Sequence, residues 1–440
     1  MASFFHSGSI SAFLLIFSLN AWAASSAQET IDNELGHIVS ASYHHLANTA
    51  ASNKDLHGAY ERARAKYQAQ NYSESLRILA ESKALDNQNL DHNDFQSIVR
   101  LALQLYAHST VETLLRDAQQ YGDALAEAKL TFELARFYSI NQHWHKVIQL
   151  LGNDAIFDQL NRDDMAEAYV ILGTALQKQK KHREAIKVYE RVTTGSKHFR
   201  LAQLNLASAL LRQEWWTDAH IAINTALKEN TGKRDQLDFR LYTMMGYSQI
   251  QFGFYRDARE SFRNVAISSQ YAQRALLGLG IAALHQQDFI GALNAFDKLC
   301  ARPEKDISIA EAHLLSAFAL RQLEQFDAAT NRYQQAIDYY QTLSTEIQSL
   351  ITSKGAVSIH FLRPENNNDG IIRNNSKKIA FLDGLSEMGT TNTTSINALK
   401  SKLANESEQR AYLLLKEEKE TIDSYLSQSR FGLASLYDHK

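Results

Sequence analysis

The 440-residue chain holds one cysteine, two prolines and 18 glycines. With Cys300 alone, no disulfide can form within the chain, so packing must hold the fold together. So little proline and glycine leaves few punctuation points for a turn-rich β architecture and favours helices. Neither sign of charge dominates. Lys and Arg number 46 against 49 Asp and Glu, a formal net charge of −3. The basic residues form no stripe able to neutralise a phosphate backbone, which argues against nucleic acid. There is no glycine-rich phosphate loop, no nucleophile elbow and no HExxH. The histidines are scattered, and the clusters His44-His45 and His143-Trp144-His145 lack acidic or thiol companions at metal-ligand spacing, so they read as surface pairs. The composition therefore excludes most chemistry and implies neither metal nor cofactor.

The apolar runs are short as well. Residues 10–19, ISAFLLIFSL, are too few to span a bilayer comfortably. They lead into Ala21-Trp22-Ala23, whose small residues fit a signal-peptidase site after Ala23. The expectation is a signal peptide over 1–23 and export, although the leading MASFFHSGS carries no Lys or Arg; a retained anchor and a buried cytosolic helix are the alternatives. No cysteine follows closely enough to accept a lipid.

What the chain does have is a rhythm. Tyr72, Trp144, His182, Trp216, Tyr255, Phe289 and Phe326 pace it, with steps of 38, 34, 39, 34 and 37 from Trp144 onward. The 72 residues between Tyr72 and Trp144 leave room for one more unit, with Val111 as its expected marker. Self-similarity at this period signals a solenoid of stacked units, a shape suited to binding. Three residues after each marker sits a small residue, including Ala185, Ala219, Ala258, Ala292 and Ala329; nine before sit Gly173, Ala207, Gly246, Gly280 and Ala317. These offsets put small residues on facing helices, where they permit close approach. The short steps alternate with long ones, so every second inter-repeat loop, such as 229–234, is expected to be extended.

These features resemble the tetratricopeptide repeat (TPR) family. Residues 166–197, AEAYVILGTALQKQKKHREAIKVYERVTTGSK, match best through Tyr169, Leu172, Gly173, Ala185 and Tyr189. The expected fold is an all-α solenoid of antiparallel helix pairs. It would have a helical or linker segment over 24–54, an array of seven or eight pairs over 55–345 with the best matches at 166–300, and a C-terminal amphipathic helix over 401–440. The Asn- and Thr-rich stretch 355–400 reads as loop or disordered linker. The resemblance implies that the first helix of each pair lines a concave groove. Its lining would be Leu201, Leu204, Leu211, Arg212, Arg240, Tyr247, Ile250, Arg274, Leu277, Ile281, Leu284, Leu314, Phe318 and Arg321. The four arginines could hold acidic groups of a protein partner. Two other readings stay open: superhelical packing buries these positions, or the C-terminal helix, with its stripe of Leu415, Ile422, Tyr425 and Leu436, folds into the groove; that helix could instead cap the array or dock on another protein or a membrane surface. The implied function is a non-catalytic scaffold or adaptor in a periplasmic, cell-envelope assembly such as an outer-membrane, secretion or energy-transducing complex. The alternative is an enzyme-associated subunit, or an enzyme using the last 100 residues.

Overall fold

The computed structural model of the chain describes residues 21–49, 55–86, 89, 93–353, 361–363, 369–389 and 393–437, with side chains from residue 28 onward. The expected signal segment lies outside them up to residue 20. Among the described residues every regular element is a helix, and none is long and apolar enough to cross a membrane. A first helix, α1 (Ala21–Thr49), precedes eight helix–turn–helix units. These are α2 (Leu56–Gln68) with α3 (Tyr72–Glu81), α4 (Phe95–Gln104) with α5 (His108–Tyr121), α6 (Ala124–Ile140) with α7 (Trp144–Leu151), and α8 (Arg162–Lys178) with α9 (His182–Tyr189). Then follow α10 (Phe199–Arg212) and α11 (Trp216–Glu229), α12 (Gln236–Gln251) and α13 (Tyr255–Arg263), α14 (Ala272–His285) and α15 (Phe289–Cys300), and α16 (Ile307–Gln322) and α17 (Phe326–Thr352). Helices α18 (Gly370–Glu387) and α19 (Thr393–Tyr437) complete the chain.

One backbone device makes each turn. Two residues before every marker the chain enters the left-handed region, at Gln70, Tyr106, Gln142, Lys180, Glu214, Gly253, Gln287 and Glu324, with φ between 58° and 81°. At Gln287 its N–H reaches the Leu284 carbonyl at 3.0 Å, and the N–H of Asp288 reaches Ala283 at 3.0 Å. This pair of bonds satisfies the end of α14 and turns the chain. Asp288 then accepts from the Gly291 N–H at 2.9 Å and starts α15. The same device places the second unit's marker at His108, 36 residues from Tyr72 and 36 from Trp144, and corrects the expectation of Val111. Val111 sits one turn further along and is a fully buried core residue.

The alternating step has a different origin from the one expected. In the 34-residue units the second helices α9 and α13 have only 8 and 9 residues. In the 39- and 37-residue units α11 and α15 have 14 and 12, whereas the 38-residue unit keeps an 8-residue α7 and adds a 3-10 turn over Asp154–Gln159. The extra residues therefore lie in the helices, since the connecting stretches 230–235 and 301–306 are shorter than 190–198 and 264–271. The short units end in a serine turn: Ser196 Oγ accepts the His198 N–H at 3.2 Å, and Ser269 Oγ accepts that of Tyr271 at 3.3 Å. The long units instead restart at an aspartate cap, Asp235 for α12 and Asp306 for α16.

The chain divides into two compact units, one of residues 1–213 with 370–407, the other of 214–369 with 408–440. In the first, α1 crosses the second helices of three repeats. Tyr43 Oη meets Leu79 and Leu85 of the α3 end, Ser40 meets Thr110 of α5 at 3.1 Å, and Asn33 meets Lys146 of α7 at 3.0 Å. Helix α18 follows the turns of the same repeats, with Asn374 at Ile140, the Phe381 ring 5.4 Å from Tyr106, and Gly384 against Ser73. These residues lie in the stretch expected to be loop or linker; 354–360, 364–368 and 390–392 of that stretch are outside the described residues. In the second unit the core is built from pairs such as Phe262 and Gly278. The Phe262 ring lies between Gly246 of its own first helix and Gly278 of the next, and a Cβ at either glycine would meet it at 2.6 Å and 2.3 Å. Glycine is needed there for close approach.

Candidate interaction surfaces

The ten small residues expected to mediate packing, Gly173, Ala185, Ala207, Ala219, Gly246, Ala258, Gly280, Ala292, Ala317 and Ala329, are all buried. The expected groove residues divide. In the first unit, Leu204 is fully buried inside α10, Leu201 and Leu211 are partly exposed and Arg212 is exposed. In the second, Ile250, Leu277, Leu284 and Leu314 are buried, so these four belong to the core and offer a ligand nothing. The reason is that consecutive first helices pack on one another as well as on their own partners; Leu277 and Leu284 join Phe296, Ile309 and Ala312 in one cluster. Tyr247, Arg274, Ile281, Phe318 and Arg321 are partly exposed and Arg240 is exposed. Tyr247 donates its hydroxyl to the Arg274 carbonyl at 2.8 Å, tying two successive first helices together.

In the first unit the first helices carry a polar ladder that the sequence reading did not single out. Arg100 of α4 binds Glu133 of α6 at 2.6 Å, and Arg136 of α6 contacts Glu133 at 3.4 Å and pairs with Glu167 of α8 through two nitrogens. His198 Nε2 stands 3.4 Å from Glu167. Arg100 and Arg136 precede their markers by eight residues and Glu167 precedes its marker by fifteen, so the groove register applied upstream finds all three. Further along, Gln177 donates to Ser208 at 3.1 Å. The ladder therefore continues as neutral hydrogen-bonding groups.

A second cluster is buried on the other side of these repeats. Asp32 of α1 is 2% exposed and accepts from Lys378 of α18 at 2.5 Å, with His143 Nε2 at 2.6 Å from its other oxygen. Burial pushes the Asp32 carboxyl up, but Lys378 and His143 outweigh it and hold it below the usual carboxylate range. Gln28 bridges Asp32 and Asn375, and Asn375 bonds Ser407 at 3.2 Å. His143 is thus a structural contact joining distant segments, contrary to its reading as one of an accidental surface pair. His108, packed on Phe137 at 4.9 Å, is pushed down to about 4 by burial.

In the second unit, α19 takes the place a further first helix would occupy. Gly432 lies against the Tyr333 ring as Gly278 lies against Phe262, and Tyr333 and Phe262 both stand seven residues after their markers. Going the other way along the two helices, the rings of Tyr425 and Tyr340 are 5.9 Å apart and Ser344 donates to Asp423 at 2.7 Å. The tail therefore runs antiparallel to α17. Its Glu418 carboxylate accepts the N–H groups of Leu362 and Arg363, each at 3.0 Å, while the Leu362 carbonyl accepts from Ile307 at the start of α16. Ile422, Ser429 and Leu436 are buried beneath it.

Two exposed aromatics stand at adjacent turns of this unit. Trp215 and Phe254, the residues just before markers Trp216 and Tyr255, are each 42% exposed. The Trp216 ring lies 5.5 Å from both Phe252 and Phe254. Among the described residues no group of three or more His, Cys, Asp or Glu is placed to hold a metal ion.

No curated protein matches the chain. Among solved structures it is similar to a tetratricopeptide repeat protein from Parabacteroides merdae, with 17% identity over 63% of this chain and 98% of that one and a TM-score of 0.38. It is also similar to the apo form of RapI, at 12% identity over 82% and 99% with a TM-score of 0.46. A third similar structure is the APC/C hetero-tetramer Cut9–Hcn1, at 14% identity over 81% and 77% with a TM-score of 0.33. The tetratricopeptide repeat family matches residues 161–234 and 243–307. The same turn device recurs in all eight units, beyond those limits in both directions. Over residues 161–234 and 243–307 the chain carries tetratricopeptide repeats.

Proposed function

We propose that this protein is a non-catalytic scaffold or adaptor that holds protein partners in an exported, cell-envelope assembly. The observation that carries the reading is how the first helices use their residues. Their leucines and small residues are consumed by packing, while charged and hydrogen-bonding side chains remain accessible at the groove register. In the second unit these are Arg240, Arg274, Arg321 and the exposed Gln251 and Gln322. Such positions suit a partner segment rich in acidic side chains, held by guanidinium–carboxylate pairs. Export rests on the apolar segment before Ala21 and the small residues at 21 and 23. The polar groups of the tail region, Asn375, Lys378, Glu418 and Tyr425, are engaged with the rest of the chain, which favours a structural role for it over a catalytic one.

The test is charge reversal at accessible positions. Substituting the fully buried Leu277 by Asp would unfold the array, so it cannot report on docking. The folded double variant Arg240→Glu with Arg321→Glu is expected to lose the proteins that wild type captures by in-cell crosslinking. An identical set of captured proteins would remove the groove from consideration. A fusion of residues 1–30 to a reporter that stays in the cytoplasm would remove the envelope assignment.

A further inference from the structure

Helix α19 rests against the last repeat mostly through apolar side chains, with one acidic group of that repeat turned toward it. Glu311, on the second turn of α16, faces the tail, and the Tyr425 hydroxyl stands 3.3 Å from its Oε2. Glu311 stands fifteen residues before marker Phe326, at the register position that Glu167 holds before His182. In the ladder of the first unit Glu167 meets Arg136. At Glu311 the preceding first helix offers Ile281 at the register of Arg136, and the following helix, the tail, supplies Tyr425. Other charged or titratable groups surround it: Arg363 from the 361–363 segment and Tyr247 from α12, with Arg274 and Asp306 next to Tyr247. Glu418 on the tail is tied to the backbone of Leu362 and Arg363.

We propose that Glu311 is a proton-operated latch for the C-terminal helix: with its carboxyl neutral, residues 408–437 hold the next first-helix place, and ionisation loosens them. Seating the tail takes the carboxyl out of water, which disfavours its charged form. The hydroxyl of Tyr425 and the more distant guanidinium of Arg363 return only part of that loss. Accordingly, burial pushes the Glu311 carboxyl up to about 7, against the lowering effects of Tyr425 and Arg363. With the tail lifted, the same carboxyl faces water and titrates near its ordinary value of about 4.3. The docked form then binds the extra proton between those two values. Docking is strongest at the acid end of this window, weakens as pH rises through it, and levels off above 7. Within the window the docking constant changes by up to about tenfold for each step of one in pH, and the partial exposure of Glu311 reduces the effect. The constant is therefore expected to fall by about two orders of magnitude across it.

The experiment is hydrogen exchange of the α19 amides in the full-length protein between pH 5 and 8, corrected for intrinsic exchange. In wild type, protection over 414–437 should drop up to about a hundredfold as pH rises. In Glu311→Gln, which keeps the shape and cannot ionise, protection should be flat. Tyr425→Phe keeps the ring and removes the hydroxyl that favours the charged form, so its midpoint should move to higher pH. A flat wild-type profile, a Gln variant that keeps the dependence, or an unmoved midpoint in Tyr425→Phe would each overturn the latch. A Gln variant that fails to fold leaves the Tyr425→Phe midpoint as the deciding result.

Discussion

The Phe262 contact allows two opposed effects to be weighed at one residue, Gly278. Replacing it by alanine removes the helix-interior glycine penalty, a gain of about 1 kcal/mol. The new Cβ would sit 2.3 Å from Cζ of Phe262, with two further ring atoms within 2.7 Å. The ring cannot retreat freely, because a Cβ on Gly246, its other neighbour, would already lie at 2.6 Å. Overpacking of this kind costs about 1–3 kcal/mol, and a ring confined on both sides belongs at the upper end. Sterics therefore win, and Gly278→Ala should destabilise the second unit by about 2 kcal/mol. Phe262→Leu should cost about 1 kcal/mol alone and leave room for the methyl group. On that background Gly278→Ala should become neutral or stabilising by up to about 1 kcal/mol, a coupling of about 2–3 kcal/mol in the cycle. Urea titration followed by circular dichroism, with Trp215 and Trp216 fluorescence reporting this unit, measures all four corners. A Gly278→Ala cost that is the same in both backgrounds would refute the steric account.

Two further outcomes follow from the turns and from the buried ion cluster. Seven of the eight left-handed turn residues carry a side chain, so Glu324→Gly or Gln287→Gly should relieve about 1–2 kcal/mol of strain against a loss of up to about 1 kcal/mol through the unfolded state; the net gain, near 1 kcal/mol, should appear as a higher urea midpoint, and an unchanged or lower midpoint in both would contradict it. Lys378→Met leaves the Asp32 carboxylate buried with His143 and Gln28 as its remaining partners, and should cost the first unit about 3–5 kcal/mol, most of it recovered by adding Asp32→Asn; a cost below about 1 kcal/mol by thermal or urea melting would show that the cluster does not hold α1 to α18.

The rhythm was legible because each unit has the same local requirement: a reversal two residues before a large side chain, with small residues facing each other across the turn. The reversal itself was not legible, since seven of its eight residues are not glycine. That also explains the misplaced second marker. His108 stands where an aromatic or apolar residue was sought, and Val111 offered one. Helix α18 was hidden by composition. Its asparagines suggested a loop, yet Asn375 is fully buried and spends its amide on Gln28, Leu403 and Ser407. Its apolar residues Phe381, Leu382 and Leu385 hold one face of the helix against the repeats. His143 could not be told from a surface histidine, because its partner Asp32 is 111 residues away.

The groove leucines show where a register carried over from one repeat stops being enough. Offsets from a single marker give the face of a helix, but whether that face meets water depends on the next repeat. Leu204, Leu277 and Leu314 point the way the register says, and neighbouring helices cover them. The charged residues at the register offsets escape that fate because burying an unpaired charge is costly, so they either stay exposed, as Arg240 does, or find a partner, as Arg100 and Arg136 do in Glu133 and Arg136 does in Glu167. Glu311 is the exception that motivates the latch. It occupies a ladder position in the last repeat, where the preceding first helix offers Ile281 at the arginine's register and the following helix is the tail, which supplies a tyrosine. A carboxyl at a ladder position, buried against a tyrosine of the tail, is the group through which the latch makes the packing of the tail respond to pH.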